Sequence, residues 1–437
     1  MKRIVYVLPF ALLVACDDAP ETTKVLTVEE KNAPKTQTGP SGLQRLALED
    51  PGGATAIDEQ IRRLQGVAQR HEQKLDPWIL LGRSWIQKAR QQSDPGYYKN
   101  ANACADIGFD ILPDNALSRN LRGLVLMNDH RFADAKALME DVLADDPDDF
   151  MALGTLSDAL LELGDVQGAT KHAQRMLDLK PSLPSYTRAA YLRWLTGDAK
   201  GATLILKKAI MAGGTARDKE AFAWVIVEAA KIFWHQGDHE GAEAGFDRAL
   251  QAFPEYPPAL VWKARVALAR GEPNRALDLA ERSYRGAALA ETAWVWVDAA
   301  RTAGDAAKVK EAEAKLEKLG EHGEARVLAA YLATENKDAK RAVALAEREL
   351  KGRSDLYSHD AHAWALYRAG RFEEALAAAK RANAHGTPDA SLRYHLGAIQ
   401  IASGAVAEGR ENVSAALALN PRFHPTAAAE ARNLLAD

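Results

Sequence analysis

The sequence predicts an all-α solenoid built from about ten helix–turn–helix repeats. Successive prolines at Pro113, Pro147 and Pro181 are each separated by 34 residues, a period typical of helical repeat proteins. The composition agrees, because Ala, Leu, Glu, Arg and Lys are abundant and favour helix. Small residues recur at matching places between the prolines, which indicates pairs of helices that cross closely.

The two clearest repeats are consecutive. In the first, Gly123, Ala135 and Pro147 occupy the eighth, twentieth and thirty-second positions of a 34-residue unit. In the second, Gly164 marks the turn and Ala169 takes the twentieth position. Short side chains let the two helices of a unit approach each other. The proline ends the second helix, because its ring removes a donor and clashes with the preceding turn.

The same small residues recur from Trp78 to Pro421, at spacings that depart somewhat from 34 residues. They are Gly82 and Ala101, Gly197 and Ala202, Gly237 and Ala242, Gly271 and Ala276, Gly304, Ala342 and Ala346, Gly370 and Ala375, and Gly397 and Gly404. One interval is 40 residues, from Ala202 to Ala242, so we expect an insertion near residues 213–219. Each unit buries little apolar surface alone, so neighbouring units must stack into one continuous core.

This pattern resembles the tetratricopeptide repeat (TPR), and the resemblance extends over most of the chain. It implies a right-handed superhelical solenoid for residues 56–437. We expect the amphipathic segments Ile61–Leu75 and Thr426–Leu435 to cap its two ends.

The first residues resemble a bacterial lipoprotein signal peptide, assigned to residues 1–15. The basic pair Lys2-Arg3 precedes a short apolar run and then Leu13-Val14-Ala15-Cys16. Such a run is too short to span a bilayer and is typical of a secretory signal. The last four residues resemble a lipobox, which implies that Cys16 carries acyl chains such as palmitate. Asp17 resembles an inner-membrane retention signal, and the outer membrane is the alternative.

Residues 16–55 are predicted to be the lipidated cysteine and the flexible tether that follows it. They are polar and rich in Pro, Gly, Thr, Lys and Glu, as in 34–40. This composition buries too little apolar surface to offset the entropy of ordering. A short helix around Leu43–Leu48 is compatible with this prediction.

The charge balance and the motifs argue against several functions. The formal net charge is −4 with both signs interspersed, so the sequence has no electrostatic footprint for nucleic acid. It contains no phosphate loop, no Gly-x-Ser-x-Gly, no His-Glu-x-x-His and no Cys-x-x-Cys. We therefore expect no enzyme activity and no cofactor.

Four further features have ordinary structural interpretations. His235 and His239 straddle a predicted turn, and His359 with His362 lies near a helix start, without a third assured metal ligand. The acidic run at residues 145–149 lacks the spacing of a calcium loop and is interpreted as an inter-repeat turn. With Cys16 lipidated, Cys104 has no partner, and we expect a packed, inert thiol.

The TPR resemblance implies a concave groove lined by particular positions of each first helix. Carried onto this sequence, those positions are Tyr191, Trp194, Trp224, Lys231, Trp234, His235, Arg265, Trp294, Asp298, Arg301, Trp364 and Tyr367, with Arg368 beside them. Aromatic and Arg side chains are frequent anchors of protein interfaces. Filling of gaps between imperfect repeats is the competing interpretation, and we prefer it for Trp262 and Trp296.

The leading hypothesis is a membrane-anchored, periplasm-facing scaffold or adaptor in the cell envelope. It would bind a protein or an extended peptide in the concave groove. The alternative is a lipoprotein that binds a glycan or small solute through the aromatic cluster at Trp194–Trp234. A deep aromatic pocket closed on three sides would favour the alternative, and an open groove would favour peptide.

Overall fold

The computed structural model describes residues 41–213 and 218–436, and within these ranges the chain is helical and contains no β-strand. Cys16 and the signal peptide lie outside the described residues. The helices are α1 Gly42–Ala47, α2 Ala56–Arg70, α3 Leu75–Gln92, α4 Tyr98–Ile111, α5 Ala116–Asn128, α6 Phe132–Asp145, α7 Phe150–Glu162, α8 Val166–Leu179, α9 Leu183–Leu195, α10 Ala199–Gly213, α11 Lys219–His235, α12 His239–Ala252, α13 Pro257–Arg270, α14 Pro273–Gly286, α15 Ala290–Thr302, α16 Ala306–His322, α17 Ala325–Thr334, α18 Ala339–Glu349, α19 Leu356–Arg368, α20 Phe372–Ala382, α21 Ala390–Ala402, α22 Val406–Leu419 and α23 Ala427–Ala436. A short 3₁₀ helix at Pro95–Tyr97 precedes α4.

Ten helix pairs, from α3/α4 to α21/α22, form repeats 1 to 10. In each pair we call the first member helix A and the second helix B. The all-α solenoid and its repeat number are therefore confirmed. The expected insertion falls between α10 and α11, partly outside the described residues, and α11 is longer than α9.

The turn between helices A and B follows directly from a Gly-Asp pair in several repeats. At Gly197-Asp198 and Gly237-Asp238, the glycine has a positive φ, which ends helix A without the strain that a Cβ would cause. The aspartate then caps helix B, because its carboxylate accepts the N–H of Gly201 or Gly241 at 2.8 Å.

Small residues bring the two helices of a pair together, as the 34-residue pattern predicts. A Cβ added to Gly123 would come within 2.8 Å of the Met139 side chain. Ala135, at the twentieth position, is fully buried. The buried apolar residues of successive repeats form clusters that run along the solenoid.

The N-terminal end differs from the expected boundaries. Residues 41–55, assigned from sequence to the tether, contain α1 and pack on repeat 1. The carbonyl of Ala47 accepts the indole N–H of Trp85 at 3.0 Å, and that of Leu46 accepts the Asn100 amide at 2.7 Å. These hydrogen bonds offset the loss of entropy on ordering the segment. The prediction from composition considered that entropy but not the hydrogen bonds. The N-terminal capping helix is α2, which begins five residues before Ile61–Leu75, whereas α23 agrees with the expected C-terminal cap.

The solenoid completes a superhelical turn, so that distant repeats touch. We call this contact the seam. One side is the ends of helices A in repeats 3 to 6, and the other is the loops at residues 353–355, 386–389 and 419–422. Its hydrogen bonds join residues 186 to 192 positions apart in repeats 3 to 5 and 153 apart in repeat 6.

Candidate ligand-binding cavity

The concave face encloses a cavity of about 590 Å³. Helices A of repeats 3 to 10 all contribute to its wall, together with the loops of the seam and residues 420–427. Because the seam joins the two ends of this arc, the concave face is closed along its side. The groove expected from sequence is therefore a cavity inside a ring of helices.

Eight of the twelve predicted groove residues line this cavity. They are Tyr191, Trp194, Lys231, Trp234, His235, Arg265, Trp294 and Asp298. All eight lie on helices A of repeats 4 to 7, where the positions carried over from the TPR pattern face the superhelix axis. Their contribution to ligand binding stays a prediction.

The other four predicted residues do not line the cavity. Trp224 packs on two apolar clusters that together extend from repeat 2 to repeat 6. Arg301 forms ion pairs with Glu335 at 2.7 Å and with Glu313 at 3.5 Å. Glu313 belongs to helix B of the same repeat and Glu335 to the next repeat, so Arg301 joins the two helices of its repeat to each other and to repeat 8.

Trp364 and Tyr367 are the remaining two, and both belong to repeat 9. Trp364 is only 1% exposed and stacks between Tyr367 at 4.8 Å and His395 at 4.1 Å. Arg368 lies over the Trp364 ring and pairs with Glu430 of α23. Here the next repeat and the C-terminal cap cover the positions that face the cavity in repeat 5.

The aromatic faces in the cavity wall are largely covered by other side chains. Trp194 has Tyr191 at 5.8 Å and His235 at 4.8 Å from its ring centroid. Trp262, which we expected to fill the core, also reaches the cavity wall, where the Arg265 guanidinium lies 4.3 Å from its ring. The interpretation of Trp262 as a residue confined to the core was therefore incomplete.

Charges of both signs line the cavity, and several of them are paired within the protein. Arg265 contacts Glu291 at 2.9 Å, on the next helix A. Arg353 is 5% exposed and bridges Glu162 at 2.5 Å and Asp355 at 2.7 Å. Because Glu162 lies one superhelical turn away from Arg353, this buried cluster also closes the seam.

Burial shifts the pKa values of several wall groups. Desolvation raises the pKa of Glu162 to about 7 even though Arg353 opposes the shift, and it raises that of Asp298 to about 7. Desolvation also lowers the pKa of His235 to about 4 and that of His424 to about 3. Both histidines are therefore neutral at pH 7 and add no positive charge to the cavity wall.

Sequence reasoning missed the wall residues that come from loops and from repeats 8 to 10. Arg326, Arg353, Asp355, Asp389 and His424 all lie at or before the start of a helix, not at groove positions. Only the superhelical closure brings these loops to the concave face. The 34-residue pattern carries no direct signal of that closure.

The cysteine, the acidic run and the first histidine pair singled out in the sequence have ordinary structural positions. Cys104 is fully buried, and desolvation raises the pKa of its thiol, which makes it a poor nucleophile. The acidic run forms the turn between α6 and α7, where Asp149 caps α7. His235 ends α11, while His239 begins α12 and lies against Trp234.

Within the described ranges, no group of three or more His, Cys, Asp or Glu residues is arranged to hold a metal ion. His359 lies in the first turn of α19 and His362 near the middle of that helix, and burial lowers the pKa of each.

Comparison with known proteins identifies the repeat. Family models described as tetratricopeptide repeat match residues 120–184, 233–283 and 361–427. No curated protein sequence matches the chain.

The chain is also similar to several solved structures. PilW, described as a widely conserved type IV pilus biogenesis factor, is 21% identical, with 46% of this chain and 91% of PilW covered and a TM-score of 0.39. A human IFIT1 dimer with PPP-AAAA is 14% identical, with 86% and 93% covered and a TM-score of 0.48. MamA is 16% identical, with 38% and 93% covered and a TM-score of 0.30.

Proposed function

The chain belongs to the tetratricopeptide-repeat superfamily, and we propose that it is an interaction scaffold that holds an extended segment of another protein in its cavity. The observation that carries this proposal is the composition of the wall. Eight successive helices A line one volume, and together they present aromatic rings and charges of both signs to it. A polypeptide offers backbone donors and acceptors along its length, and such a wall can engage them.

The charge distribution argues against a polyanion as the ligand. Acidic Glu162, Glu291 and Asp355 accompany the basic Arg265 and Arg353, and each arginine has a carboxylate partner. A nucleic-acid site requires an excess of unneutralised Lys and Arg along the phosphate path. A peptide segment of low net charge fits the balanced wall better.

A glycan or small solute is the second candidate, because the cavity is closed along its side and contains several indoles. Sugar binding of the kind expected for the Trp194–Trp234 cluster needs open ring faces for stacking. The faces of Trp194 are approached by Tyr191 and His235, and one face of Trp262 is approached by Arg265. The covered faces favour the peptide over the glycan.

We also propose that the protein is tethered to the periplasmic face of the inner membrane through acyl chains on Cys16, with the outer membrane as the alternative. The support is the lipobox-like sequence with Asp17 after the cysteine. In the parts of the chain described, no helix has the length and apolar character needed to cross a bilayer. Two or three acyl chains would give stable anchoring.

Palmitate labelling tests this anchor. The full chain should incorporate labelled palmitate and sediment with membranes, while Cys16→Ser should do neither. A Cys16→Ser variant that still carries the label would contradict the assignment, and membrane fractionation of the wild type separates inner from outer membrane.

Site-specific photo-crosslinking in cells tests the cavity. A benzophenone amino acid would replace Ser391, which lines the cavity, or Met211, which is 82% exposed on α10. We expect defined polypeptide adducts at residue 391, identified by mass spectrometry of the joined peptides, and fewer or different adducts at 211.

A matched pair of arginine variants provides the specificity control. Arg265→Ala removes the cavity pair with Glu291, whereas Arg175→Ala removes an exposed pair with Asp148. Adducts at residue 391 should decrease several-fold with the first variant and persist with the second. Equal adducts in both variants would contradict the cavity as the binding site, and a carbohydrate mass at residue 391 would favour the second candidate.

A further inference from the structure

Glycines at the A–B turns divide into two groups according to what lies beside them. A Cβ added to Gly164 would come within 2.6 Å of the Ser354 carbonyl oxygen, and one added to Gly237 within 3.0 Å of the Leu419 carbonyl oxygen. A Cβ added to Gly197 would come within 3.2 Å of the Gly386 carbonyl oxygen. The turn glycines of the other group, with no described atom within 4 Å of an added Cβ, are Gly271, Gly304, Gly370 and Gly404.

The first group belongs to repeats 3, 4 and 5, and its neighbours are the loops of the seam. The backbones on the two sides of the seam are therefore in close contact at three consecutive repeats. All of these turn glycines have similar positive φ values, between 74° and 89°. The two groups therefore differ only in whether the glycine lies against a loop of the seam.

The hydrogen bonds of the seam use acceptors that a helix leaves open. The carbonyls of Leu163, Leu195 and Trp234 lie at the ends of helices A, where carbonyls no longer receive the N–H of the residue four positions on. They accept from Ser354 Oγ at 2.8 Å, from Thr387 Oγ1 at 2.6 Å and from the Asn420 amide at 2.9 Å. The Trp234 carbonyl also accepts the Gly237 N–H at 2.9 Å within its own turn.

Water can replace every one of these donors when the two sides separate, because helix ends of this kind are commonly solvated. Neighbouring repeats, in contrast, share continuous clusters of buried apolar side chains. The seam has a smaller apolar component, in which Leu356 and Leu392 join the cluster of repeats 3 to 5. The seam is thus the more polar of the two kinds of contact that hold the ring together.

One end of the seam also has unfilled space on both sides. The segment at residues 420–425, which we call the strap, borders the main cavity and a second cavity of about 150 Å³. Phe423 and His424 line both volumes. Beyond the Asn420 bond, Arg422 binds the Ala269 carbonyl at 2.8 Å, and His424 lies 3.6 Å from Asp298.

We propose that the seam is a lateral gate, which separates to admit an internal stretch of an extended polypeptide and closes around it. This inference rests on the proposed function, because it describes how the ligand reaches the same cavity. A ring that opens at its side needs no free chain end in the ligand. It can therefore take a segment in the middle of a long protein, which a permanently closed ring would exclude.

Cysteine labelling tests the gate without any ligand. Ser391→Cys places a thiol in the cavity wall, and Cys104 is buried. The rate of reaction with a polyethylene-glycol maleimide, measured on the peptide that contains residue 391, reports side access for a bulky chain. A small reagent, iodoacetamide, reports whether the thiol itself is reactive.

Two glycine variants then separate the gate from general destabilisation. Gly237→Ala places a Cβ 3.0 Å from the Leu419 carbonyl oxygen, so the two sides of the seam must move apart by a few tenths of an ångström, whereas Gly304→Ala introduces the same positive-φ strain in a turn that faces open space. We expect Gly237→Ala to accelerate the bulky reaction several-fold and Gly304→Ala to leave it unchanged. Gly164→Ala should repeat the effect from the other end of the seam.

Hydrogen exchange at one amide provides an independent measurement. The Ser354 N–H donates to the Glu162 carbonyl at 2.9 Å across the seam. Under native conditions we expect it to exchange faster than the core amides of α9 and α19, and faster still in Gly237→Ala. Exchange of Ser354 only at the rate of those core amides would overturn the gate, because the seam would then open only on unfolding.

A bulky-reagent rate that Gly237→Ala leaves unchanged would also overturn the gate. These experiments contain no binding partner, so they can fail while the crosslinking at residue 391 succeeds. A gate that opens while no polypeptide is crosslinked there would instead refute the proposed function.

Discussion

Repeats 5 and 9 have large side chains at the same two positions of helix A, yet these side chains have different environments. In repeat 5 they are Lys231 and Trp234, and both line the cavity. In repeat 9 they are Trp364 and Tyr367, and neither does. The register of the repeat is the same in both, so register alone does not decide which side chains reach a ligand.

The difference arises from what lies next to each repeat along the superhelix. The helix A of repeat 5 ends at the seam, and its Lys231 and Trp234 side chains line the cavity. Repeat 9 is followed by repeat 10 and α23, whose residues His395 and Glu430 cover the Trp364–Arg368 face. Repeat 9 instead presents the start of its helix A, including Tyr357 and Asp360, to the cavity.

The largest expected effect of this difference is on stability. Trp364→Ala should lower the free energy of unfolding by about 3–5 kcal/mol, because it removes a fully buried indole and leaves a cavity. Chemical denaturation followed by circular dichroism measures the loss. Trp364→Phe retains a ring against His395 and should lose clearly less.

The same substitutions test the assignment of function to repeat 5 and packing to repeat 9. Trp364→Phe should leave crosslinking at residue 391 intact, since the ring lies outside the cavity. A folded Trp364→Phe protein that no longer forms the adducts would show that repeat 9 takes part in binding after all.

A smaller, pH-dependent effect is expected at Asp298, on the cavity face of repeat 7. Burial raises its pKa from 3.8 to about 7, so the folded state binds a proton more tightly than the unfolded state between these values. Its contribution therefore destabilises the fold progressively as the pH rises from about 4 to 7. Asp298→Asn removes this contribution.

The stability of Asp298→Asn relative to the wild type should consequently increase with pH over that window and level off above it. Denaturation midpoints at several pH values measure the trend. Asp50→Asn is the control, because Asp50 is exposed and hydrogen bonds from the Gly52 N–H and Arg62 lower its pKa, so this variant should show no comparable slope near neutrality. A flat difference at Asp298 would mean that its carboxylate is not held in a desolvated site.

The repeat architecture could be predicted well from the sequence, for a physical reason. A 34-residue unit folds through local contacts, and its Gly, Ala and Pro positions report helix crossings and helix ends directly. The predicted boundary between tether and solenoid was less accurate, because hydrogen bonds between distant residues determine where the folded part begins. Residues 41–55 are polar, but Trp85 and Asn100 bind their carbonyls.

The cavity was predictable only in part. Lys231, Trp234 and Arg265 follow from the repeat positions, because neighbouring repeats keep one face toward the axis. Arg353 and Asp389 could not be found in this way, since they are loop residues that meet repeats 3 to 5 only after a full superhelical turn. That turn is the sum of small rotations between neighbouring repeats. The sequence of a single repeat does not show how large the total rotation is.

The smallest predicted effect isolates one hydrogen bond of the closed ring. Thr387→Val keeps the side-chain shape but removes the donor to the Leu195 carbonyl, which lies at the end of helix α9. Thr387 is 3% exposed, so the carbonyl loses a buried partner, and the expected loss is about 1 kcal/mol in the free energy of unfolding. Thr203→Val is the matched control, because Thr203 Oγ1 binds the Ala199 carbonyl within α10, where the helical N–H remains as a partner. A loss at Thr387 no larger than that at Thr203 would mean that water already replaces this donor, and that the ring is held closed by the Arg353 cluster and the apolar contacts of Leu356 and Leu392.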